Sequence, residues 1–120
     1  MSDDDEPTYA ELLDLRARQA QEQRTALVAA IEAMRNARSL TTADDEHDPE
    51  GSTVSLDHAR DDALLVRTEQ TLAELTAARG RLAAGRYGVC ERCGEPIPEA
   101  RLRARPEARS CLRCAAVVGR

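Results

Sequence analysis

The sequence predicts an all-α protein: a long antiparallel coiled-coil helical hairpin followed by a small C-terminal module built on four cysteines. Three observations predict it. Two stretches of about thirty residues each carry apolar residues at helical spacing and no interior proline. A Pro/Gly-containing acidic break separates them. All four cysteines lie in the last third of the 120 residues, as Cys90/Cys93 and Cys111/Cys114.

Composition supports this reading. Hydrophobic residues make 42% of the chain, but 21 of these 50 are Ala. There is no Phe or Trp, and Leu, Ile and Val together number 21. So thin a supply of large apolar side chains argues against a sandwich, a barrel or a deep enzyme pocket. It suits two helices that cover each other. All 17 basic residues are Arg, which excludes lysine chemistry. Charge is divided along the chain. Residues 1–78 hold 18 acids and 7 Arg, a net of −11; residues 79–120 hold 4 acids and 10 Arg, a net of +6. Two parts with different partners are expected.

The N-terminus has no basic segment followed by an apolar one, so no signal peptide is expected. The longest apolar run, Ala26–Ile31, is six residues. That is far short of a membrane span, and a cytoplasmic location is expected. Residues 1–7 are expected to be a disordered acidic tail.

The first helix is predicted from Tyr9 to Leu40. Thr8 caps it, and Glu11 completes a capping box. Leu13, Ala17, Ala20, Arg24, Leu27, Ile31, Met34 and Arg38 form its seam, at alternating spacings of four and three. The hairpin spans residues 8–86, with an acidic tip loop at about 41–54. Pro49 and Gly51 break the helix there, and five acids fall between Asp44 and Glu50. The second helix is predicted from Ser55, as N-cap, to Ala84. Leu65, Thr68, Leu72, Leu75, Arg79 and Leu82 form its seam. Leu56, Ala59, Ala63 and Val66 follow a shifted register, which predicts a stutter. Gly85 is placed to terminate the helix. Arg24 and Arg38 are expected to snorkel or to pair with Asp61, Asp62 or Glu69. His47 and His58 read as surface residues. The expected shape is a rod with the acids at its tip.

The two Cys-x2-Cys pairs stand 17 residues apart. This is the spacing of a four-thiolate zinc site, in which each pair makes a tight knuckle and the two complete a tetrahedron. Gly94 is suited to a positive φ after the first knuckle. Cys90, Cys93, Cys111 and Cys114 are therefore the predicted ligands of one structural Zn²⁺. Four protein ligands leave no open position on the metal, so no catalysis is expected. A redox dithiol is the enzymatic alternative, but a strand-to-helix context for it is lacking. A nucleic-acid-binding zinc protein is another, resting on Arg101, Arg103, Arg105 and Arg109. The absence of an aromatic platform and of a recognition-helix pattern argues against it.

The run Tyr87-Gly88-x-Cys90-Glu91-x-Cys93-Gly94-x-x-Ile97-Pro98-x-x-Arg101-Leu102-x-Ala104-x-Pro106-x-Ala108-x-x-Cys111-x-x-Cys114 resembles the zinc finger of the DksA/TraR family. The preceding hairpin agrees with that family in architecture. The resemblance implies a finger over residues 87–120, ending in a short helix. It also implies a transcription regulator that binds bacterial RNA polymerase rather than DNA sequence. The finger would sit at the rim of the secondary channel, and the acidic tip would reach toward the catalytic Mg²⁺. Guanosine tetraphosphate, acting jointly with polymerase, is a further implied ligand. The family's tip pattern DxxDxA is matched by Asp45-x-x-Asp48-x-Glu50, with Glu in place of Ala. Arg101, Arg103, Arg105 and Arg109 form the candidate docking face. A structural or adaptor protein that never enters the channel is the alternative function.

Overall fold

The computed structural model describes residues 6–41 and 50–117. Four helices follow in order: α1 Tyr9–Thr41, α2 Glu50–Ala83, α3 Glu99–Ala104 and α4 Leu112–Val117. Among the described residues the only β pairing is an isolated bridge between Val89 and Pro96. The chain divides into two compact units. One contains residues 1–19 and 71–120, the other residues 20–70.

Helix α1 starts where its capping box dictates. The Thr8 hydroxyl accepts from the Glu11 amide at 3.1 Å, and the Glu11 carboxylate accepts from the Thr8 amide at 2.9 Å. Two otherwise orphaned donors are thereby satisfied. Helix α2 ends in a Schellman turn. Arg86 N–H donates to Arg81 C=O at 2.8 Å and Gly85 N–H to Leu82 C=O at 3.2 Å. This turn needs a left-handed residue, and Gly85 supplies it at φ 77°.

The start of α2 lies earlier than the sequence suggests. Glu50 opens it, so Gly51 through Ser55 are helical and Ser55 is not the cap. Pro49 forbids a helix continuing through it but not one that begins just beyond it. A glycine in the first turn, where fewer helical bonds depend on it, is tolerated.

In the first unit α1 and α2 run antiparallel. Tyr9 meets Tyr87, with ring centroids 5.0 Å apart, and Asp14 meets Arg79 at 2.6 Å. Leu13, Leu75 and Ala78 are fully buried there. Arg79 is exposed, contrary to its predicted seam position, and Ala78 and Arg81 take the inward places instead. A methyl fits between closely packed helices, whereas an arginine one position on reaches a carboxylate in solvent.

In the second unit Ala20, Ile31 and Thr68 are buried, and Leu27, Met34, Leu64 and Leu65 are half-buried. Arg24 pairs with Glu69 at 3.1 Å, as its seam position predicts. The predicted stutter is not present. Leu56, Ala59, Ala63 and Val66 are all exposed, and His58, Asp61 and Leu65 face inward in the same register as Thr68. The apolar count misled because aliphatic residues fall on the outer face while a histidine takes an inner one. His58 is accordingly half-buried, with Nε2 3.8 Å from Asp62.

Candidate metal centre and its supporting contacts

The finger is built on two knuckles. In the first, Gly94 N–H donates to Cys90 C=O at 2.9 Å and Cys90 N–H to Glu95 C=O at 2.8 Å. Gly94 takes φ 78°, as its place after the second cysteine predicts. Ile97 N–H donates to Gly88 C=O at 2.8 Å, which closes the loop. The second knuckle runs into α4, where Ala115 N–H donates to Cys111 C=O at 2.8 Å. Glu91 N–H donates to Arg109 C=O at 2.9 Å and ties the two knuckles together.

These turns bring Cys90, Cys93, Cys111 and Cys114 together, with all four Sγ atoms within 4.8 Å of one another. Cys93 Sγ and Cys111 Sγ are 3.9 Å apart. A tetrahedral zinc with Zn–S of about 2.3 Å requires S···S separations of about 3.8 Å. The donor set and its spacing fit one structural Zn²⁺. The local field is uneven. Amides of Cys93 and Cys111 lower the Cys90 thiol to about 6. The amide of Cys114 lowers Cys111. Burial, and then the neighbouring thiols, push Cys114 up to about 12. Four thiolates coexist here only with a cation among them, so metal binding and proton release are coupled.

The apolar support is small: Cys90, Ile97, Leu102 and Cys114, with Tyr9, Tyr87 and Cys111 packed against them. Leu102 comes from α3, a helix that the sequence reading did not contain. The stretch from Arg101 to Ala108 acts as a scaffold. Leu102, Pro106 and Ala108 are buried, and the Arg101 Nε donates to Ser110 C=O at 2.9 Å.

Two side chains have roles that the sequence reading did not assign to them. Arg81, only 8% exposed, donates to the carbonyls of Glu107 and Ala108 at 3.4 and 3.3 Å and lies 3.6 Å from Glu91. It locks the end of α2 to the finger. Arg81→Met removes these bonds and strands two carbonyls. The expected loss is about 2 kcal/mol of unfolding free energy, read by denaturant titration. Tyr87 donates its hydroxyl to Pro106 C=O at 2.8 Å. Burial, and then Tyr9, push its phenol up to about 12. Because the folded value is raised, the neutral phenol's contribution is complete below pH 10. It is lost as pH rises through 12. Alkaline titration of the folded protein should therefore show a tyrosinate band near pH 12 that Tyr87→Phe abolishes.

The predicted arginine strip is not a single face. Arg101 is bound to Ser110. Arg103 stacks on the Tyr9 ring at 4.5 Å, donates to Pro7 C=O and pairs with Glu6 and Glu99. Arg105 pairs with Glu107 at 3.5 Å, and Arg109 is exposed. Among the tip residues, Asp45 and Asp48 lie outside the described residues, as does His47. Glu50 opens α2.

Residues 85–118 match the prokaryotic dksA/traR C4-type zinc finger. The C-terminal module is a DksA/TraR C4-type zinc finger. That match covers 34 of the 120 residues. The chain is 52% identical over 50 residues to an uncharacterized protein of Aquifex aeolicus, covering 42% of this chain and 34% of that one. It is 41% identical over 58 residues to the uncharacterized protein YbiI of Escherichia coli, covering 47% and 66%. The chain thus spans about a third of the first relative. The structure of transcription factor DksA2 from Pseudomonas aeruginosa matches with a TM-score of 0.52 and 27% identity, over 89% of this chain and 82% of that one. That match takes in the long helix pair as well as the finger, so the fold is DksA-like. No helix among the described residues is long and apolar enough to cross a membrane.

Proposed function

We propose that this chain regulates transcription by binding bacterial RNA polymerase through the secondary channel. The observation that carries the reading is the joint match of finger and helix pair to DksA2, which is described as a transcription factor, over 89% of the chain. The division of labour follows from the chemistry. The finger, taken as residues 87–120, is a metal-held base whose zinc has no open position for substrate. The hairpin of residues 8–86 carries Asp45, Asp48 and Glu50 between or at the start of its helices. Carboxylates delivered near a catalytic Mg²⁺ can alter its surroundings or pair with basic residues of a mobile element. Glu50 in place of the small residue adds a further negative charge to that segment. Guanosine tetraphosphate would act jointly with polymerase, and the site of action is the cytoplasm.

The test is competition. Zinc-loaded protein is titrated into RNA polymerase core enzyme in the presence of a known secondary-channel factor. Mutual displacement is expected. Binding without displacement would favour an adaptor docked elsewhere, and no binding at micromolar concentrations would end the proposal.

A further inference from the structure

The finger's positive charge is spent unequally. Residues 79–120 hold 10 Arg. Five of them are engaged within the protein: Arg79 by Asp14, Arg81 by Glu91 and two carbonyls, Arg101 by Ser110, Arg103 by Tyr9 and Glu6, and Arg105 by Glu107. Three others gather at the metal end. Arg92 lies inside the first knuckle, Arg113 inside the second, and Arg109 is the residue whose carbonyl joins them. All three are exposed, and none is in an ion pair among the described residues. Cys93 and Cys111, with Sγ atoms 3.9 Å apart, hold the flanking Arg92 and Leu112 at the same end. Leu112 is 66% exposed and stands beside Arg113 inside the second knuckle. Glu91, the acid inside the first knuckle, is drawn toward Arg81.

We infer that the knuckle face formed by Arg92, Arg109, Leu112 and Arg113 docks on an acidic protein surface of RNA polymerase, in place of the Arg101–Arg105 strip. The inference rests on the secondary-channel reading and names the contact that reading leaves open. The physical warrant is availability. A guanidinium already stacked or bound to buried carbonyls would lose those bonds in order to dock, whereas an exposed one brings bidentate donors at little cost. An exposed leucine in the same knuckle as an exposed arginine is also the composition of a protein contact rather than of a phosphate track. The competing use of these arginines is internal. Four thiolates around Zn²⁺ are formally dianionic, and nearby cations could merely balance that charge.

The test compares wild type with the triple variant Arg92→Gln, Arg109→Gln, Arg113→Gln, both zinc-loaded and full length. Association with polymerase core enzyme is followed at low and high salt, and zinc content is measured on the same samples. The variant is expected to keep one zinc per chain and to associate about tenfold more slowly at low salt. The gap should narrow at high salt as exposed charges are screened. A triple Arg→Lys variant should recover most of the rate. Wild-type binding matched by the Gln variant overturns the knuckle face and leaves the channel reading standing. Loss of zinc from the Gln variant also overturns it, since the arginines would then serve the thiolates. So does duplex-DNA binding that the Gln variant alone loses. Failure of the wild type itself to bind polymerase removes both proposals.

Discussion

Cys93→Ser is expected to reduce bound zinc from one ion per chain to almost none and to unfold the finger. The reason is the size of the apolar support. Two of its four buried members, Cys90 and Cys114, are themselves predicted zinc ligands, so only Ile97 and Leu102 remain as aliphatic core. Burying two such side chains is worth roughly 3–6 kcal/mol. That is too little to offset the conformational entropy lost when the finger is ordered. A structural zinc supplies about 10 kcal/mol or more, which makes metal binding and folding one event. The two Tyr are the only aromatic residues of the chain, and both pack against this core. Near-ultraviolet circular dichroism of tyrosine therefore reports on the finger. It should collapse in Cys93→Ser and in wild type treated with a chelator, together with metal content. Leu112→Ser, at the exposed neighbour of Cys111, should change neither signal. An intact tyrosine signal in a zinc-free sample would mean that the finger folds without metal.

The second large effect concerns the acidic segment. Asp45→Asn with Asp48→Asn removes two charges and keeps the shape of both side chains. If these carboxylates act near the polymerase active site, regulation should fall at least tenfold in a purified transcription assay. Affinity for core enzyme should meanwhile stay within about threefold, because the proposed docking contacts are those of the finger. Loss of binding and regulation together would instead make the segment part of the anchor. Unchanged regulation would move the action to Glu50, to Asp44 or Glu46, or to another partner.

What the sequence made legible was local. The capping box at Thr8 and Glu11, the Schellman glycine at Gly85 and the knuckle glycine at Gly94 each depend on residues within a few positions, and the structure places them as read. The four cysteines were legible because zinc geometry constrains their spacing. Properties set by distant partners were not legible. Whether Ala78 or Arg79 faces inward depends on what α1 presents opposite. The outward turn of Leu56 and Val66 likewise depends on the register fixed elsewhere in the hairpin. Helix α3, at six residues, is too short to show a period. Arginine use was the least legible. Arg103 read as part of an exposed strip, yet it is stacked on Tyr9, ninety-four positions away, and Arg81 at the end of α2 is buried against carbonyls. The acidic segment was legible as chemistry only, since Asp45 and Asp48 lie outside the described residues.

In the proposed mode of action, finger and hairpin together deliver carboxylates to the polymerase active site. The most direct measurement replaces the catalytic Mg²⁺ of polymerase with Fe²⁺ and maps where locally generated hydroxyl radicals cut the bound, zinc-loaded chain. Backbone cleavage centred on residues 42–50 is expected, suppressed by a competing secondary-channel factor. A bound chain left uncut, or cut only within the finger, would contradict it.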